Sequence, residues 1–291
     1  MPGFKPLFPV KFIQSVLPLL ISMLLFTACK RGSAPETMEI PEKNTANDGY
    51  NALFIGHSFF VPIASGMPTH AARAGIEGHT QNVFFSGGSS GAPEALWRNP
   101  FQRAEIQSIL NAGDVELFGM TYHPVYPGLD GYMSWVEYAL AQNSQTIFFV
   151  ALPWPTGPRT MDVENYKAIW TDGHTRLHST IIDALRKAYP DNVFYCIPYG
   201  EASVELYELY EQGNLPDADT LITSGSTSGI YKDELGHAEP MLIDLCQLVW
   251  LQAIFKVDLH TYDYDPGYST ELKTIASGIL ERHDKAYDFK K

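Results

Sequence analysis

Cysteine is scarce in this chain: three copies in 291 residues cannot build a disulfide framework, and with no C-x-x-C among them thiol redox chemistry is excluded as the function. Basic charge is short as well. Lys plus Arg number 20 against 33 Asp plus Glu, a formal charge of −13 that repels nucleic acid and anionic lipid headgroups, so no nucleic-acid partner is expected. Charged residues are only 18% of the total against 45% apolar ones, which excludes wholesale disorder, collagen and coiled coil. No repeat with a period of 20–50 residues is visible. What is plentiful is Gly (23) and Pro (20), so the chain folds with many loops.

The N-terminus reads as an address. Lys5 and Lys11 precede an apolar run over 16–26 that is too short to span a bilayer comfortably, and Thr27-Ala28-Cys29 closes it with small residues. The stretch Leu25-Phe26-Thr27-Ala28-Cys29 resembles a bacterial lipoprotein signal, with Phe26 where that family prefers Leu. The resemblance implies export, lipidation of Cys29 and membrane contact only through that lipid; plain secretion is the alternative. Residues 1–28 are then a signal peptide. Residues 29–48 are a polar tether with no apolar period, and 49–291 a folded domain. Cys196 and Cys246 are read as two separate buried small side chains in preference to a bridge.

Short continuous apolar runs at 52–56, 82–85, 115–118, 146–152 and 193–197 read as strands buried on both faces. Helical periodicity fills 62–74, 94–111, 131–142 and 162–188, then 201–212, 238–255 and 269–285 after the last strand. The alternation predicts one α/β domain, a doubly wound, flavodoxin-like five-stranded parallel sheet flanked by helices. In such sheets functional groups gather beyond the carboxyl ends of the strands. Those ends are Gly56-His57-Ser58-Phe59-Phe60, Ser86-Gly87-Gly88-Ser89-Ser90-Gly91, Gly119-Met120-Thr121-Tyr122-His123-Pro124, Pro153-Trp154-Pro155 and Pro198-Tyr199-Gly200. The loop 232–237 before the 238–255 helix joins them.

A serine becomes a nucleophile when a base takes its proton, and the base works best when a carboxylate orients it. Ser58 follows the first strand, His237 is the natural base, and Asp233 and Glu234 lie beside it. Together these residues resemble the SGNH (GDSL-like) hydrolases over about 50–255. Gly56-His57-Ser58-Phe59 looks like that family's first block, Gly88 falls on its second-block glycine, and 233–237 looks like its last block. The resemblance implies an ester hydrolase working through an acyl-enzyme on Ser58. The Gly88 N–H would join the oxyanion hole, and no cofactor or metal is required. Thr121 stands where the family has an oxyanion-binding Asn. The family's last block reads D-x-x-H, whereas Asp233 is four residues before His237 and Glu234 three; residue type favours Asp233 and spacing Glu234, and Asp233 is preferred.

Other readings stand beside these. Gly87-Gly88-Ser89-Ser90-Gly91 matches the G-x-S-x-G nucleophile elbow, which would make Ser89 the nucleophile, but only one strand precedes the elbow's own, fewer than that fold normally has. His57, Tyr122, His123, Trp154 and Arg159 are expected around the substrate, aromatic faces for a sugar ring or acyl group and the guanidinium for an anionic group; loop packing is the alternative for the aromatics, an ordinary surface position for Arg159. Trp135, Trp170 and Trp250 read as core. His174 and His178 are four apart on a helix and could both face one metal ion, but no H-E-x-x-H and no carboxylate cluster completes a set, and they are expected on its solvated face. The expected substrate is a small-molecule or glycan ester, a carbohydrate ester slightly favoured over lipid. A binding or sensory protein on the same fold, or a lyase or transferase using the same pocket, is the alternative.

Overall fold

The computed structural model describes residues 48–290. The signal read at 1–28, with Cys29 and the tether up to residue 47, lies outside the described residues.

Strand β1 (Asn51–Gly56) lies between β2 (Thr80–Phe85) and β3 (Leu117–Thr121), and beyond β3 come β4 (Ile147–Ala151) and β5 (Phe194–Ile197). All four pairings are parallel, so each needs a crossover, which the helices supply. The domain is α/β, a doubly wound five-stranded parallel sheet with helices on both faces, in the order 2-1-3-4-5. Adjacent residues of β4 point to opposite faces. Phe148 stacks on Phe194 and meets Phe118, which packs toward Trp135 of α4 (Asp130–Gln142). Phe149 meets Phe54 and Trp250 of α8 (Pro240–Phe255), a helix buried nearly all round. Trp135, Trp170 and Trp250 are core, as the pattern predicts.

The structure departs from the sequence reading at several boundaries. Strand β3 does not stop near Gly119 but runs on through Thr121, which pairs with Ala151. Gly119 is a packing glycine: a Cβ there would collide with Phe149 and come within 2.7 Å of Phe54. The helix expected over 94–111 is two, α2 (Pro93–Arg98) and α3 (Pro100–Leu110), because Pro100 has no N–H to continue the ladder. Asn99 instead caps α3 through the amides of Phe101 and Gln102. A π-helical turn, His178–Ile182, separates α5 (Val163–Leu177) from α6 (Asp183–Ala188). After α7 (Glu201–Glu211), β6 (Thr220–Ile222) and β7 (Gly229–Tyr231) form an unexpected two-stranded parallel ladder. Helix α9 (Leu272–Arg282) follows α8. His174 and His178 are not on a solvated face; both are buried. Among the described residues Cys196 and Cys246 form no bridge, and both are buried.

Candidate active site

The chain leaves β1 toward β2 on one side and later returns to β3 on the other, so the carboxyl ends of β1 and β3 flank a topological switch point. Ser58 sits half-buried in the turn from β1 into α1 (Val61–Arg73). The turn is tight: the amides of Phe60 and Val61 both donate to the His57 carbonyl, at 3.0 and 2.9 Å, and a Cβ on Gly56 would lie 2.6 Å from the Phe60 ring.

From the far end of the chain, the loop between β7 and α8 brings His237. Asp233 folds this loop around its own carboxylate, Oδ1 accepting the amides of Leu235, Gly236 and His237. Its Oδ2 accepts from His237 Nδ1 at 2.7 Å, and His237 Nε2 lies 2.8 Å from Ser58 Oγ. A carboxylate can only accept, so Nδ1 carries the ring proton and Nε2 offers its lone pair to the Ser58 hydroxyl. Burial raises the Asp233 carboxyl, but the His237 ring and the loop amides outweigh it and hold the pKa below the usual carboxylate range. The series is open to solvent, with side-chain exposures of 30% for His237 and 48% for Asp233. Such a series can pull the proton from the serine hydroxyl as its oxygen attacks an electrophile.

Glu234 turns away and pairs with Arg159 at 2.7 Å, both exposed. Arg159, expected at the substrate, thus has its guanidinium engaged on the outside of the loop. Trp154, expected either against the substrate or in loop packing, takes the second course: it is buried, stacks on Phe59 at 5.0 Å and donates Nε1–H to the Gly236 carbonyl at 2.8 Å. Its role is to prop the His237 loop. Gly236 has φ +96°, which a side chain would strain, and Gly157 N–H donates to the Leu235 carbonyl at 3.2 Å. Phe59, singled out only as part of a motif, packs edge-on to His237 at 5.1 Å and joins Trp154 to the imidazole. An aromatic directly after the serine was the available signal.

The β3 loop contributes differently from expectation. Thr121 is a strand residue with no exposure; its hydroxyl lies 3.3 Å from His57 Nε2 and donates to the Tyr122 carbonyl at 3.4 Å, so it is turned inward. His57 bridges the β1 and β3 loops, accepting the Phe59 amide at Nδ1 and donating Nε2–H to the Tyr122 carbonyl at 3.2 Å. Burial drives its pKa down to about 4, the Tyr122 carbonyl opposing, so the ring is neutral. His123 packs edge-on to His57 at 5.3 Å, half-buried, and accepts the Val125 amide at Nδ1, which puts its proton on Nε2. Tyr122 is half-buried beside it, its phenol raised by burial. Gly88 opens a 3-10 turn, Gly88–Gly91, at φ +54° with open space where a Cβ would be, and is exposed. Ser86 N–H on the Gly56 carbonyl at 3.1 Å ties this loop to the end of β1. His237 bonds Ser58 and not Ser89.

Fold and site together define a doubly wound α/β domain with a hydrogen-bonded Ser-His-Asp series at its switch point. No protein family and no curated protein matches the chain. Among solved structures it is similar to the periplasmic domain of a lipopolysaccharide acetyltransferase from Salmonella ser. Paratyphi A, at TM-score 0.38 and 10% identity over 65% of this chain and 78% of that chain.

Proposed function

We propose that the chain is an ester hydrolase of the SGNH kind, with Ser58 the nucleophile, His237 the base and Asp233 the group that orients the base. The observation that carries this reading is the unbroken series Asp233 Oδ2 to His237 Nδ1 at 2.7 Å and His237 Nε2 to Ser58 Oγ at 2.8 Å. Ser58 Oγ adds to the acyl carbon while its proton passes to His237 Nε2. The Ser58 and Gly88 N–H groups hold the developing oxyanion, with His123 Nε2–H as third donor in place of the inward-facing Thr121. Collapse expels the alcohol, which takes the proton from His237 and leaves an acyl-enzyme. Water then gives a proton to His237, attacks the acyl carbon and frees the acid, returning the proton to Ser58.

The exposure of His237, Asp233 and Gly88 admits water and a bulky alcohol portion, which favours an ester borne on a glycan over a lipid. The N-terminal segment around Cys29 supports placing this activity outside the cytoplasm, on a lipid tether. Labelling with a fluorophosphonate followed by peptide mapping places the adduct on Ser58. Ser58→Ala, with folding intact, loses several orders of magnitude in turnover, as expected when one member of a triad is removed. Release of free acetate from an acetylated oligosaccharide identifies hydrolysis; acetate passed to an added sugar identifies a transferase instead. A label on Ser89 overturns the assignment. No label and no turnover on any ester puts the second reading, a binding protein on the same fold, first; the lack of an amide side chain at 121 is what favours it.

A further inference from the structure

Four side chains with no part in this reaction converge elsewhere in the interior. They are His174 on α5, His178 at the first residue of the π-helical turn, Cys196 on β5 and His283 just after α9, and all are buried. One donor atom from each lies within 4.8 Å of the others. The three imidazole centroids are 4.4, 5.3 and 5.5 Å apart. Among the described residues, the Nε2 atom of every one of these histidines is buried without a hydrogen-bond partner. Buried polar atoms are nearly always satisfied, and three orphaned ring nitrogens in one cluster require a common explanation. The π-helical turn at His178 is a second sign, since such turns are rare and frequently occur at functional positions.

We infer that His174, His178, Cys196 and His283 form a zinc site, separate from the Ser58 centre, that fastens the C-terminal segment to the sheet. Three imidazoles and one thiolate are the nitrogen and sulfur set that zinc takes tetrahedrally, and four protein donors leave no open position, which is the pattern of a structural site. His283 Nδ1 donates to Asp288 Oδ1 at 2.6 Å, which fixes the ring and leaves Nε2 with its lone pair. Burial keeps His174 and His178 in their neutral form. The Cys196 thiol is raised by burial, so the ion must displace its proton: Cys–SH and Zn²⁺ give Cys–S–Zn and H⁺, and the single net charge left is countered by Asp288. Tetrahedral bond lengths call for donors about 3.3–3.7 Å apart, so the widest pair closes by about 1 Å on binding. The residues after α9 already follow the outer edge of β5, with Cys196 N–H donating to the Tyr287 carbonyl at 3.0 Å, and Tyr287 stacking on His178 at 3.8 Å. An ion held by His283 and Cys196 locks that strap.

The full chain, purified without chelator, is expected to hold about one zinc per molecule by mass spectrometry of the metal. After chelation, Co²⁺ is expected to give a thiolate-to-cobalt charge-transfer band. Cys196→Ser loses the band, and Asp288→Asn, which leaves all four donors in place, binds cobalt about 10–100-fold more weakly. Fluorophosphonate labelling of the chelated protein reports separately on the Ser58 centre. A wild-type chain that takes up neither zinc nor cobalt overturns the inference without recourse to any variant. So does cobalt uptake that lacks the thiolate band and is unchanged in Cys196→Ser, which would place the metal on other histidines.

Discussion

Asp233 accepts four hydrogen bonds on its two oxygens, three from loop amides and one from His237, while Glu234 one residue later spends its carboxylate on Arg159. An Asp at this position closes the loop and orients the imidazole with the same group. Asp233→Asn should cost on the order of 10⁴ in turnover, because the amide no longer holds the required tautomer. Glu234→Gln breaks only an exposed ion pair and should leave kcat/KM within about twofold. Steady-state kinetics on the two variants decides between the carboxylates. Thr121 has a different use. Its hydroxyl joins the His57–Tyr122 contact in the interior, so Thr121→Val should lower stability by about 1 kcal/mol in urea unfolding and change turnover less than about tenfold. A loss of about 10²–10³ in kcat would mean that the hydroxyl reaches the oxyanion after all.

Among the elements, the loop bearing His237 depends on the one after β4. Trp154 grips Gly236 through a single N–H and stacks on Phe59, so the loop is supported at Gly236 from 82 residues earlier in the chain. Trp154→Phe keeps a ring for the stack and removes that hydrogen bond. Turnover should fall roughly tenfold with KM little changed, since small displacements of a base are costly. A drop in melting temperature with kcat intact would make Trp154 a packing residue alone. Why its two readings could not be told apart in the sequence is physical: an aromatic at a strand end looks the same whether it lines a pocket or buttresses a loop. Strands β1, β3, β4 and β5 were legible because strands buried on both faces are continuous apolar runs, whereas β2, at the edge of the sheet, has no buried residue and showed itself only by its apolar end over 83–85. That Ser58, His237 and Asp233 would meet was legible because they fall at a strand end and in one short loop. The end of β3 was not. Glycine usually breaks a strand, but Gly119 serves the crossing of Phe54 and Phe149, which only the neighbouring strands reveal. The burial of His174 and His178 was hidden for the same reason, since β5 and the segment after α9 cover their helix face from 22 and 109 positions away.

For the molecule as a whole, burying a neutral histidine ties stability to acidity. The unfolded chain protonates His57 near pH 6.5, whereas in the fold its pKa is lowered to about 4. The unfolded state therefore binds the extra proton in that window, and the contribution of His57 is complete above about pH 6.5 and lost as the pH falls toward 4, at about 1.4 kcal/mol per pH unit. Urea unfolding across this range should show a limb that is shallower by about that slope in His57→Gln. An unchanged slope would mean that His57 takes up its proton in the folded protein. The hydrogen bond from the Ser58 hydroxyl to His237 spans 179 residues of chain. Neither end of that contact is of use alone. On the proposed reading, a cut in the chain that lets the two parts drift apart leaves an ordinary hydroxyl and an ordinary imidazole, so fluorophosphonate labelling at Ser58 reports whether the fold still holds them together.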